Sequence, residues 1–133
     1  MADYIAQSRS NYFKVKDIVE FKLWLESISS DLEFISNERG VGFLIYSPIP
    51  SITWDEKSQE YIEFDFHKAL AKHLQVGEVA ITMEVGYEKI RYLIGVAVAV
   101  NHRGKVVYIN LDEIYDKAKK VFKGCHKITN ATY

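Results

Sequence analysis

The 133 residues include one cysteine, two prolines and seven glycines. A lone thiol, Cys125, excludes an intramolecular disulfide. The chain therefore reads as a protein of a reducing, cytoplasmic compartment. Scarce proline and glycine exclude collagen-like and low-complexity architectures. An excess of charge of one sign is missing as well. Lys plus Arg is 17 and Asp plus Glu is 18, for a net of −1, which excludes a uniformly basic nucleic-acid binder while leaving room for local patches. No apolar run is long. The longest nearly uncharged stretch, residues 92–100, is far short of the roughly 20 residues that a membrane helix needs. Residues 1–10 lack the apolar centre of a secretory signal and read as a loose arm.

Motifs of established chemistry are also missing. No glycine-rich loop leads into a helix start with a following lysine, and no nucleophile elbow of the Gly-x-Ser-x-Gly type occurs. Glu63, Asp65, His67 and His73 are the nearest approach to a metal set. The two histidines are six apart, which puts them on different sides of a helix, and no zinc-type spacing accompanies them. No metal and no cofactor is expected. Cys125 and His126 are adjacent, and sequence neighbours rarely face each other as nucleophile and base.

What is present is a high aromatic content, nine Tyr, seven Phe and two Trp, and clear periodicity. Residues 11–15 read as a strand. Asp17 caps a helix with Glu20 three residues on, and Ile18, Phe21, Leu25 and Ile28 form its apolar stripe. Residues 32–36 and 41–46 read as a hairpin about the turn Asn37-Glu38-Arg39-Gly40. Past Pro48 and Pro50, residues 52–54 and 61–64 read as a second, more exposed hairpin. Asp65 caps a helix from Phe66 to about Val76, with Phe66, Ala69, Leu70, His73 and Leu74 on one stripe and Gly77 at its end. Residues 78–85 and 90–100 alternate strictly about a turn at residues 86–89. In the second of these strands Ile90, Tyr92, Ile94, Val96, Val98 and Val100 make a large face, and Gly95, Ala97 and Ala99 a small one. Apolarity on both sides predicts an interior strand covered on both faces. A helix is expected over the small residues, with Gly95→Val costing roughly 1–3 kcal/mol by overpacking. Gly104 serves the next turn, residues 105–109 return as a strand, and Asn110 with Glu113 caps a last helix whose buried stripe is Ile114, Ala118, Val121 and Phe122. Residues 124–133 read as a frayed tail or a late edge strand. The expected class is α+β: one domain over residues 1–133, with a single mostly antiparallel sheet and about three packed helices.

Charge is polarised along the chain. Residues 31–65 hold eight carboxylates against Arg39 and Lys57, a net of −6, while residues 103–127 hold seven basic residues against three acidic ones, a net of +4. In the acidic half, Trp54 and Tyr61 stand beside Asp55, Glu56, Glu60 and Glu63, which suits a contact surface for a basic protein because aromatic anchors dominate interfaces. The same residues would otherwise cap the edge of the core. In the basic half, Arg103, Lys105, Lys117, Lys120 and Lys123 make an alternative surface for nucleic acid. The last helix nevertheless holds no Arg, and lysines near a helix C-terminus already suit its dipole. Glu84 and Glu88 with Arg91 at a hairpin tip are the one candidate for acid–base work, against solvated cross-strand pairing.

The segment Asn11-Tyr12-Phe13-Lys14-Val15-Lys16-Asp17, the block of residues 77–95, Asn101 and the helix start at residues 111–115 resemble a group of small uncharacterised proteins encoded on plasmids, phages and conjugative elements. The likeness covers about the first third and the last half of the chain and leaves out residues 37–60. It carries no catalytic residues. It implies a mobile-element accessory protein, a setting in which small acidic-faced inhibitors of host defence are common. The leading expectation is a non-enzymatic protein that binds, and inhibits, a basic host protein such as a defence nuclease or a nucleic-acid-handling complex. A nucleic-acid-associated protein and a small enzyme at Glu84, Glu88 and Arg91 are the alternatives. A protein partner is expected ahead of nucleic acid, with no membrane; the unlike charge faces are also compatible with a homodimer.

Overall fold

The structure, a computed structural model, describes residues 4–89, 91–124 and 128–131. Expectations resting on Ile90, Cys125, His126 and Lys127 lie outside the described residues. The architecture is α+β, in the order β1 (Ile5–Ser10), α1 (Ile18–Ile28), β2 (Leu32–Asn37), β3 (Gly40–Ile45), β4 (Ile52–Asp55), β5 (Glu60–Glu63), α2 (Phe66–Ala71), β6 (Val79–Glu88), β7 (Tyr92–Asn101), β8 (Val106–Asn110) and α3 (Glu113–Val121). Six strands form one antiparallel sheet in the order β2-β3-β1-β6-β7-β8, and β4 pairs only with β5. Among the described residues no helix is long and apolar enough to cross a membrane.

The expected loose arm is instead a central strand. Residues 5–10 insert between β3 and β6, with Ser8 opposite both Ile45 and Glu84. Small side chains make this position usable. Ala6, Ser8 and Ser10 point inward and are buried, and each hydroxyl is satisfied: Ser8 Oγ donates to the Ser47 carbonyl at 3.0 Å, while Ser10 Oγ donates to the Asn11 carbonyl at 2.7 Å and accepts from the Phe43 amide at 3.0 Å. Residues 11–15, expected as the strand, make only two isolated bridges, Phe13 to Val41 and Val15 to Leu74. Their apolarity serves the core directly.

That core lies on one face of the sheet. Phe21 and Leu25 of α1, Phe66 and Leu70 of α2, and Phe13 and Leu74 from the connections meet Phe43, Ile45, Ala80 and Val100 of the strands. Phe13 sits edge-on to Phe21 and to Phe43, with centroids 5.6 and 6.5 Å apart, and each such buried ring contributes roughly 2–3 kcal/mol. Asp17 caps α1 as expected, accepting from the Glu20 amide at 3.0 Å. Ile18 of the expected stripe lies outside the core, half exposed. α2 is shorter than expected. It ends at Ala71 because the chain must turn for Leu74 to reach Val15. The β6–β7 turn lies later than expected. Gly86 is within β6, and Lys89 takes the positive φ of 50°.

The opposite, outer face corrects the expectation of an interior strand covered on both sides. Register puts Val79, Met83 and Val85 of β6, Leu93, Gly95, Ala97 and Ala99 of β7, and Val107 and Ile109 of β8 on this side. Met83, Val85, Leu93, Val107 and Ile109 are each more than half exposed. Among the described residues no helix lies over Ala97 and Ala99. Closest over Gly95 is the side chain of Leu111, whose amide donates to the Gly95 carbonyl at 3.0 Å. α3 buries none of its residues, and Ile114, Val121 and Phe122 of its expected stripe are exposed. The capping box is half formed. Glu113 accepts from the Asn110 amide at 2.6 Å, but the helix begins two residues later than expected, with Asp112 at the N-cap.

These placements separate two glycines. A Cβ on Gly95 would meet Leu111 Cγ at 2.9 Å, yet Leu111 is flexible and 57% exposed and can swing aside, so Gly95→Val is expected to cost under about 1 kcal/mol. Gly40 has φ +126°, and a Cβ there is driven against the Phe13 carbonyl; Gly40→Ala is expected to cost about 2–3 kcal/mol. Urea unfolding compares them, and equal losses would mean that the outer face is packed after all.

Candidate functional site

The β4–β5 hairpin is built by what precedes it. β3 ends at Ile45, and Tyr46 donates its amide to the Asp31 carbonyl at 2.9 Å. Pro48 and Pro50 then offer no amide to a ladder, so the chain leaves the main sheet. Glu84, on the inner face of β6, holds it. Its Oε1 accepts from the Ile49 amide at 2.7 Å and its Oε2 from the Tyr4 hydroxyl at 2.8 Å. The far end is closed by the Phe64 amide donating to the Ser51 carbonyl at 2.9 Å. Phe64 leans on Trp24 and Phe66. Between these roots the hairpin stands clear of the core.

Its tip is ordered by side chains suited to a turn. Asp55 accepts from the Ser58 hydroxyl at 2.8 Å and the Ser58 amide at 3.3 Å, and the Gln59 amide donates to the Asp55 carbonyl at 2.8 Å. The Ser58 hydrogen bond is the main reason that the Asp55 carboxyl titrates below its usual range. Cross-strand register puts Ile52, Trp54, Tyr61 and Glu63 on one side and Thr53, Asp55, Glu60 and Ile62 on the other. Trp54 and Tyr61 meet edge-on with centroids 5.2 Å apart, and they remain 44% and 68% exposed. Asp55 and Glu60 are directly opposed, a like-charge pairing that weakens a hairpin. Every residue of β5 is exposed. The structure thus brings together Trp54, Asp55, Glu60, Tyr61 and Glu63, with Glu56 in the turn. Trp54 is not part of the core cluster or its packed rim.

The other candidates are dispersed. Arg103 and Lys105 belong to the β7–β8 turn, whereas Lys117 and Lys120 lie on α3 and Lys123 just past it; the turn and the root of α3 sit at opposite ends of β8, about 17 Å apart. Glu84 and Glu88 do not form a pair. Four residues of one strand separate them by roughly 13 Å, and Glu84 is occupied by Tyr4 and Ile49. Arg91 lies over the Tyr92 ring, 5.1 Å from its centroid. His73 packs against Trp24 and Phe21 at 4.8 and 5.4 Å. Among the described residues no group of three His, Cys, Asp or Glu is placed to hold a metal ion.

A polar cluster lies at the root of the hairpin and includes Glu63, Asp65 and His67, three of the four residues weighed as a metal set. His67 Nε2 is 2.8 Å from Thr82 Oγ1, and His67 shares an open cavity of about 680 Å³ with Ile49, Ile52, Glu63 and Asp65. Burial pushes its pKa down, against the opposing pull of Asp65 and Glu84. Burial likewise lowers His73. Tyr4 is pushed up to about 12, first by burial and then by its hydrogen bond to Glu84. Tyr4 lies in the segment read as a loose arm, so its role had no local signal.

No family model matches the chain, and no curated protein or solved structure is significantly similar to it.

Two outcomes follow for this cluster. Both histidines take up a proton less readily in the fold than in the unfolded chain, so the unfolded chain binds more protons as pH falls through the ordinary value of 6.5. Stability is expected to be level above that value, to fall as pH drops through it, and to stop falling below the lowered folded values. His67→Gln should flatten the part due to His67, read by urea unfolding at stepped pH. Glu84→Ala strands the Ile49 amide and the Tyr4 hydroxyl; a loss of about 2 kcal/mol is expected, with faster amide exchange at Ile49.

Proposed function

We propose that this chain is a non-enzymatic binding protein that docks its β4–β5 hairpin onto a basic protein partner and thereby blocks it. The observation that carries the reading is the Trp54–Tyr61 pair, left exposed on a two-stranded unit outside the main sheet, with Glu63 on its own side of the hairpin, Asp55 and Glu60 on the other and Glu56 in the turn. The Asp55–Ser58 bonds and the ring pair order the hairpin, but neither requires the rings to stay uncovered. Exposed aromatics gain nothing from solvent, and the opposed Asp55 and Glu60 repel each other. Against a basic surface both features become favourable. The aromatic pair supplies the anchor that is desolvated on contact, and four carboxylates against the single Lys57 supply steering and complementarity.

The partner class follows from that chemistry. A protein that handles nucleic acid presents a basic surface of its own, and an acidic aromatic ridge competes for it. The mobile-element setting implied by the sequence resemblance fits a host-defence nuclease as that partner, and a cytoplasmic location fits the single thiol. The cluster of Glu84, Tyr4 and Ile49 supports the reading from below, because it fixes the root of the hairpin and limits the ordering cost of docking.

The test uses Trp54→Ala combined with Glu60→Lys. Capture of the partner from host extract is expected to be lost, while the thermal midpoint moves by no more than a few degrees, since neither residue contributes to the core. A large drop in the midpoint would make Trp54 a structural residue. Undiminished capture would remove the hairpin from the interface.

A further inference from the structure

We infer that the chain forms a twofold dimer in which α3 of each copy lies in a trough on the outer sheet face of the other. The trough is a product of register. On the outer face of β7 the residues are Gly95, Ala97 and Ala99, while the flanking strands carry Met83 and Val85 on one side and Val107 and Ile109 on the other. Small floor and large walls make a groove two strand spacings across, about 10 Å, which is the diameter of a helix. Leu111 closes the Gly95 end, and the open floor from Ala97 to Ala99, roughly 7 Å long, takes a little over one turn of α3.

The occupant is identified by what the chain leaves without a partner. Ile114, Ala118 and Val121 fall on one side of α3 with Lys117 at the edge of that side, and Lys119 and Lys120 fall on the other. Ile114 and Val121 are 60% and 72% exposed, and no residue of α3 is buried. The root of α3 is pinned at the Gly95 end by the Leu111 amide and by Glu113, so its apolar stripe is not over its own trough. A second copy supplies both missing halves at once. The trough walls, Leu93, Leu111 and the α3 stripe together expose on the order of 1,000 Å² per chain, above the roughly 800 Å² per partner of a stable interface. Such a contiguous apolar patch marks an association surface. A twofold axis makes the exchange reciprocal and closed. Lys119 and Lys120 stay in solvent, Lys117 lies at the rim of the contact, and the hairpins remain free, so this inference does not rest on the proposed function.

Sedimentation equilibrium of the full chain from micromolar to several hundred micromolar concentration tests it, with two variants. Ile114→Asp combined with Val121→Asp alters only exposed residues. Ala97→Glu places a charge on the trough floor, and circular dichroism checks that it folds. The expected result is a dimer of the natural chain, with each variant raising the dissociation constant roughly 100-fold or more. A natural chain that stays monomeric throughout the range, with α3 closed on its own sheet or free, overturns the inference. So does a dimer that the α3 double variant leaves intact. Should Ala97→Glu fail to fold, the α3 double variant decides alone.

Discussion

The packing of α1 and α2 against one face of the sheet is the interaction on which the rest of the structure depends. Phe21, Leu25, Phe66 and Leu70 come down on Phe43, Ile45, Ala80 and Val100, and the fit is set by size on both sides. β6 offers small residues inward, Ala80 and Thr82, where β7 offers Val98 and Val100. Two helices of eleven and six residues cover the middle of one face and no more, leaving Val106 and Tyr108 of β8 exposed on that side. The second face is therefore left to solvent or to another molecule. The same limit sends the chain out of the sheet at Pro48, since the inner surface at that point is already occupied by α2.

Polar groups inside this arrangement are few and placed. Ser8, Ser10 and Thr82 line the inward side of β1 and β6, and each has a partner within hydrogen-bond distance. Glu84 extends the row to the edge, where it binds Tyr4 and the Ile49 amide. A buried polar row of this kind fixes register, because a slip by one residue would strand every hydroxyl and turn Arg9 and Gln7 inward. It also links the N-terminal strand to the root of the hairpin, so the projecting ridge is carried by the most central part of the fold. The surface ion pair of Lys22 and Glu26 at 3.9 Å adds little by comparison.

The exposed features divide between two surfaces of the molecule. The acidic aromatic hairpin is polar enough to be stable in water. The trough is apolar, and α3 carries an apolar stripe along a helix that is otherwise charged. Their chemistry differs, so the partners proposed for them differ as well: a basic protein surface for the first, and a second copy of the same chain for the second. Glu84, between them, is used to hold the backbone.

Local pattern determined the elements. Alternation made 78–85 and 90–100 legible as strands, though not the extension of the first through Glu88, the Asp17 cap and the Phe21–Leu25 spacing made α1 legible, and Gly40 marked the β2–β3 turn. The hairpin with Trp54 and Tyr61 was readable for the same reason: short apolar pairs on either side of a polar turn. What the tertiary structure alone decided was which side of each element is covered. A strand with apolar residues on both faces states no preference between them, and only the positions of α1, α2 and α3 settle the matter. β1 escaped detection because its inward residues are Ala and Ser, whose fitness for a central strand depends on the helices above and on acceptors supplied by distant residues such as Ser47 and Asn11. Sequence spacing encodes periodicity, which is local. Burial is a relation between elements far apart in the chain, and it comes into being only when they meet.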